Sequence, residues 1–76
     1  MKKKLEQHEA EALQRWIDVH GRRWKAALND AWFCGTYIGI TPGRVRDETT
    51  LQGLRYKYGP SGLDKLTAPM VARALA

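Results

Sequence analysis

Residues 12–32 read ALQRWIDVHGRRWKAALNDAW, and the fold turns on how this stretch is divided. Ala12, Leu13, Trp16, Ile17, His20, Trp24, Ala27, Leu28, Ala31 and Trp32 recur at steps of three and four, the spacing of one helix face, and Leu5 extends the stripe backwards. Gln7, Glu11, Asp18, Arg22, Lys25 and Asn29 fill the opposite face. Gly21 interrupts the composition but not the phase, and a glycine inside a helix costs only about 1 kcal/mol relative to alanine. The spacing therefore predicts one long helix over about residues 4–36, bent near Gly21; two helices hinged at His20-Gly21 are the alternative. Glu11 to Arg15 and Asp18 to Arg22 are acid-before-base pairs at i,i+4 and favour continuity.

The three tryptophans, Trp16, Trp24 and Trp32, are eight residues apart, so each is rotated by roughly 80° from the one before and the stripe drifts around the axis. The rest of the chain must then cross this helix at an angle, unless the bend corrects the drift. The tryptophans read as core anchors, with Trp32 at the stripe's edge as a possible exposed one.

After Phe33 the pattern stops. Gly35, Gly39, Gly43 and Pro42 mark a connection, Thr41-Pro42-Gly43-Arg44 suits a type II turn, and Tyr37 to Ile40 suits a short extended piece. A second helix is expected from Asp47, as its cap, through Leu51, Leu54 and Tyr58 to Gly59. Ser61 then caps a short turn with Leu63 and Leu66, and Thr67 a last helix with Pro69 in its first turn and Met70, Ala74 and Leu75 facing inward. The fold class is all-α: one long N-terminal helix with two or three short helices on its apolar face, in a single domain over residues 1–76 with a basic tail at 1–4.

Composition agrees. At 76 residues, 43% hydrophobic and 28% charged, the chain has the material for one core and not for two. No apolar run approaches the length of a membrane span and no signal segment follows Lys2-Lys3-Lys4, so a bacterial cytoplasm is expected and a membrane is not. The single Cys34 excludes an internal disulfide. The formal net charge is +5. Residues 1–20 are balanced, and from Gly21 onward nine basic residues stand against four acidic ones, so any basic face belongs to that part of the chain.

Catalytic patterns are not found. The candidates for a Cys–His nucleophile pair are Cys34 with His8 or His20, and in a continuous helix His20 and Cys34 lie about 21 Å apart along the axis, meeting only if the chain hinges. One Cys and two His match no zinc spacing, Asp47, Glu48 and Asp64 read as helix-start residues, and there is no phosphate-binding glycine fingerprint. The expectation is a protein without enzyme activity, metal or cofactor.

Two surfaces could bind a partner. Arg44, Arg46, Arg55 and Lys57 are interleaved with Tyr56 and Tyr58, which suits phosphate neutralisation and base stacking, although a plain solvated face with Tyr56 and Lys57 outward is the better-supported reading of the same residues. Residues 47–66 also permit a helix-turn-helix, with a second helix short for a major groove. The other surface is Arg22, Arg23 and Lys25 beside Asn29 and Asp30, suited to an acidic groove on another protein.

Trp24-Lys25, Leu28, Trp32, Gly35 and Tyr37, followed by Leu51-Gln52, Leu54-Arg55, Gly59-Pro60-Ser61 and Leu63, resemble short accessory proteins of proteobacterial plasmids and phages over Trp24 to Leu66. The chain departs from that pattern at Tyr56, where Asn is expected, and at Gly62, where Trp is expected. The resemblance implies a mobile-element setting, in which small basic proteins bind DNA or block host nucleic-acid machinery, anti-CRISPR proteins among them. The leading expectation is a stoichiometric inhibitor of a host protein–nucleic-acid complex that touches it through Arg22, Arg23, Lys25, Arg44, Arg46, Arg55, Tyr56 and Lys57. A small DNA- or RNA-binding regulator is the alternative, and a self-assembling helical protein a further one. The sequence leaves the oligomeric state open.

Overall fold

The structure, a computed structural model, describes residues 5–39 and 45–76, without the side chains of Val45 and Pro60. The basic tail, the Thr41 to Arg44 turn and the candidate Arg44 lie outside the described residues. Among those described, 82% are helical and none lies in a strand. Helix α1 spans Gln7–His20, a 3-10 turn follows at Gly21–Arg23, and α2 spans Trp24–Cys34. Helix α3 covers Val45–Leu63 with a kink at Gly59, and α4 covers Ala68–Leu75.

The helical run from Gln7 to Cys34 is thus bent at Gly21, and the reason is local. Gly21 adopts φ 61 and ψ −133, where side chains other than glycine are strained, while its N–H still donates to the Ile17 carbonyl and closes α1. Trp24 N–H donates to the Gly21 carbonyl, which begins α2 without a loop. Across the bend, Trp16 Nε1 donates to the Trp24 carbonyl at 2.9 Å, so the bend is held by a buried hydrogen bond as well as by the glycine. Gly35, left-handed at φ 76, ends α2 with its N–H on the Ala31 carbonyl at 2.7 Å.

The bend lets both halves of the stripe face one interior. Leu13, Trp16, Trp24, Leu28 and Trp32 are buried with Leu51, Leu54 and Leu63 of α3, with Leu66 of the connection and with Val71 of α4. All three tryptophans lie inside, Trp32 included, which removes an unburied Trp stripe as a ground for self-assembly. Helices α2 and α3 are stitched in both directions. Trp32 Nε1 donates to the Leu51 carbonyl at 2.9 Å, and Arg55 Nη1 donates to the Trp32 carbonyl at 2.8 Å. The radius of gyration is 11.3 Å, close to the roughly 11 Å of a close-packed chain this long.

Several local expectations are corrected. Asp47 does not cap α3; it lies inside the first turn, buried, and accepts from both Nε and Nη2 of Arg15 at 2.6 and 2.7 Å. Arg15 therefore turns to Asp47 rather than to Glu11, because a carboxylate withdrawn from water gains more from a bidentate partner than an exposed one does. Asp18 accepts from Gln14 Nε2 and not from Arg22. No strand forms at Tyr37 to Gly39, where residues 38 and 39 make a turn. Thr67 caps α4 as expected, accepting from Met70 N–H at 3.3 Å with Pro69 in the first turn, but Met70 is exposed and Val71 holds the inward position.

Candidate docking surface

The described sequence candidates differ in what they touch. Arg22 and Arg23 occupy the 3-10 turn, both exposed, at the corner where α1 gives way to α2. Neither pairs with an acid among the described residues. Lys25 leans back: its ammonium donates to the Asp64 carbonyl at 3.1 Å and lies 5.6 Å from the centre of the Trp24 ring.

On α3 the interleaved basic and aromatic residues point apart, since successive helix positions are turned by about 100°. Arg55 reaches to the end of α2 and satisfies the Trp32 carbonyl. Lys57 is not solvent-facing; it reaches α1, where its ammonium is 2.9 Å from Glu9 Oε1. Tyr56, between them, stands out in solvent at 79% exposure, and Arg46 is exposed near the start of the helix. A helix-turn-helix is not formed. Gly59, non-helical at φ 68 and ψ 173, ends the first stretch of α3 as expected, and the few helical residues beyond it, up to Leu63, are too short for a groove-reading helix.

The charges that fold the chain can be separated from those left over. Glu9 and Asp47 are buried, and their partners respond: the hydrogen bond that Lys57 donates to Glu9 holds its ammonium above its ordinary pKa, and the bond that Arg15 donates to Asp47 does the same for its guanidinium. Burial, as the larger cause, also raises the Tyr37 and Tyr58 hydroxyls. Those two acids and two cations are structural. They were invisible as pairs in the sequence because Glu9 and Lys57 are 48 positions apart and Arg15 and Asp47 are 32 apart. Arg22, Arg23 and Arg46 are left as cations without such duties among the described residues.

Two chemical groupings arise from the bend. His20 and Cys34 now line one cavity, as only a hinged chain allows, but His20 Nε2 is 2.8 Å from the Ile38 carbonyl and its ring packs on Trp16 with centroids 4.1 Å apart. The imidazole is thus an anchor for the segment after α2. Glu6, His8 and Glu9 bring one ligand atom each within 4.8 Å of one another. Glu9 Oε1 already receives both the Lys57 ammonium and the Glu6 N–H, at 2.9 Å each, so a cation there would displace a structural one.

No helix among the described residues is long and apolar enough to cross a membrane. Comparison of the chain with protein-family models, with curated proteins and with solved structures finds no match. The function is therefore argued from these residues.

Proposed function

We propose that this chain is a non-catalytic binding protein of a plasmid or phage that inhibits a host protein–nucleic-acid complex stoichiometrically, in the manner of an anti-CRISPR protein. The observation that supports it is the Arg22–Arg23 corner: two adjacent exposed guanidiniums, free of acids among the described residues, on a turn held by the Trp16–Trp24 hydrogen bond. A preformed cationic corner lowers the ordering cost of docking on an anionic surface and speeds encounter. His20, which could otherwise suggest chemistry, has a structural reading, since its imidazole nitrogen holds a backbone carbonyl.

The test is inhibition of a nucleic-acid-cleaving effector complex from a bacterial host by the purified protein. The expected result is loss of cleavage that saturates near one inhibitor per complex and that Arg22→Glu with Arg23→Glu abolishes. Cleavage untouched at any ratio, for every effector tried, sinks the reading.

A second reading, a small DNA- or RNA-binding regulator, is favoured by the outward Tyr56 ring and the exposed Arg46 on the same helix. It requires binding to protein-free nucleic acid that weakens steeply as salt rises and that Tyr56→Ala reduces.

A further inference from the structure

Helix α2 carries an acid that nothing holds. The neighbours of Asp30 three and four positions away are Ala26, Ala27, Phe33 and Cys34, so its own helix offers it no cation. No hydrogen bond or ion pair engages its carboxylate among the described residues, although the chain bears a net +5. The same residue lines a cavity of about 230 Å³ between α1 and α2. With His20 neutral, it is the one charged side chain among the described residues that do.

Ala27, Asp30, Ala31 and Cys34 follow one another at helical spacing and make one wall. Trp16 and His20 of α1 make another, and Thr36 and Ile38 close the space from the segment after α2. These walls are fixed. The Trp16 indole N–H is held by the Trp24 carbonyl, the His20 ring packs on that indole, and His20 Nε2 lies 2.8 Å from the Ile38 carbonyl. Asp30, Cys34, Thr36 and Ile38 are exposed, so the cavity opens to solvent on that side.

The polar groups set the sign of the ligand. A carbonyl only accepts, so His20 Nε2 carries the proton between it and Ile38, and in the neutral imidazole Nδ1 is left as an acceptor. The Asp30 carboxylate only accepts, while the Thr36 hydroxyl and the Cys34 thiol take either role. The cavity thus offers acceptors backed by a full negative charge, which repels an anion and suits a cationic donor. Trp16, Ala27, Ala31 and Ile38 require an apolar body behind that donor. Size limits the body: about 150 Å³ is enough for benzene, whereas drug-sized ligands need roughly 300–1,000 Å³. The net +5 opposes a cation only from afar, since charges beyond about 8 Å are screened at physiological salt, and Asp30 acts at contact.

We propose that this cavity binds a small organic cation, a primary ammonium on one apolar stem of about benzene size. The ammonium pairs with Asp30 and the stem lies against Trp16, Ala27, Ala31 and Ile38. Free amines and a lysine side chain presented by a polypeptide share this chemistry, which is independent of the Arg22–Arg23 docking reading.

The test is titration of the isotope-labelled full chain with benzylamine, benzyl alcohol and benzoate, read from the N–H resonances of Ala27, Ala31, Ile38 and the Trp16 indole. Benzylamine is expected to saturate with a millimolar dissociation constant and to move all four together. Benzyl alcohol, which lacks the charge, should bind about tenfold or more weakly, the scale of one hydrogen bond to a charged group, and benzoate not at all. Asp30→Asn should weaken benzylamine by the same factor and leave benzyl alcohol unchanged. Ala27→Leu should block both; if a thermal melt shows that variant unfolded, maleimide capping of the exposed Cys34 on the folded wild-type chain supplies the plug. A capped lysine tripeptide forms the second arm: tighter binding than benzylamine at the same resonances, lost in Asp30→Asn, assigns the site to a polypeptide lysine, and weaker binding assigns it to a free amine. The proposal is overturned if neither amine moves these resonances, if benzyl alcohol or benzoate binds as tightly as benzylamine, if Asp30→Asn binds as the wild type does, or if the plugged chain still binds.

Discussion

Two carboxylates enter the interior of this small protein, and each arrives with a cation from another helix: Glu9 with Lys57 and Asp47 with Arg15. A buried acid without its partner is costly, but Lys57 and Arg15 are 27% and 41% exposed at their side chains, so solvent softens the loss. Glu9→Gln is expected to destabilise the chain by about 1–2 kcal/mol in urea unfolding, with most of that loss absent when Lys57→Met is already in place. Tyr58 is the opposite case. Its hydroxyl is buried without a hydrogen-bond partner, so Tyr58→Phe should raise stability by about 1 kcal/mol, read as a higher urea midpoint at unchanged slope. Gly62 is constrained by packing: a Cβ there would lie 2.9 Å from Tyr58 Cβ, so a larger side chain has no room unless the helix shifts.

At the scale of elements, the bend is the deciding feature. A Cβ at Gly21 meets nothing within 4 Å, so replacing it tests backbone conformation alone. Gly21→Ala is expected to cost about 1–3 kcal/mol, because alanine at φ 61 and ψ −133 is strained; a melting temperature equal to the wild type's would show that the bend does not depend on that conformation. The choice between a bent helix and a hinged pair was open in the sequence because the apolar phase runs through Gly21 undisturbed, and phase is all that periodicity reports. By contrast the Thr67 cap of α4 was legible, since hydroxyl, proline and apolar run lie within five residues. Thr67→Ala should cost about 1 kcal/mol in the same unfolding measurement.

For the whole molecule, the net stability expected of 76 residues is only about 4–11 kcal/mol, so a single core deletion is a large fraction of it. Leu28 is fully buried where α2 meets the rest of the core, and Leu28→Ala should remove about 2–5 kcal/mol, leaving a chain partly unfolded at 37 °C by circular dichroism. The pH profile follows from groups whose folded pKa is raised. Lys57, Tyr37 and Tyr58 all stand above their ordinary values of 10.5, 10.0 and 10.0. Their contribution is therefore complete below about pH 10, where folded and unfolded chains are equally protonated, and is lost as pH rises through the folded values. Urea midpoints should be flat from pH 7 to 9 and fall above about 10; Tyr58→Phe should fall less steeply. The helical class, the stripe of Leu13, Trp16, Trp24, Leu28 and Trp32, and the Thr67 cap could be read from the chain because each depends on neighbours within a turn or two. The direction taken at Gly21, the pairing of Glu9 with Lys57 and Arg15 with Asp47, the split of Arg55 from Lys57, and the cavity between α1 and α2 could not. Those depend on which helices meet, and distant side chains choose partners only after burial has made an unpaired charge or donor expensive.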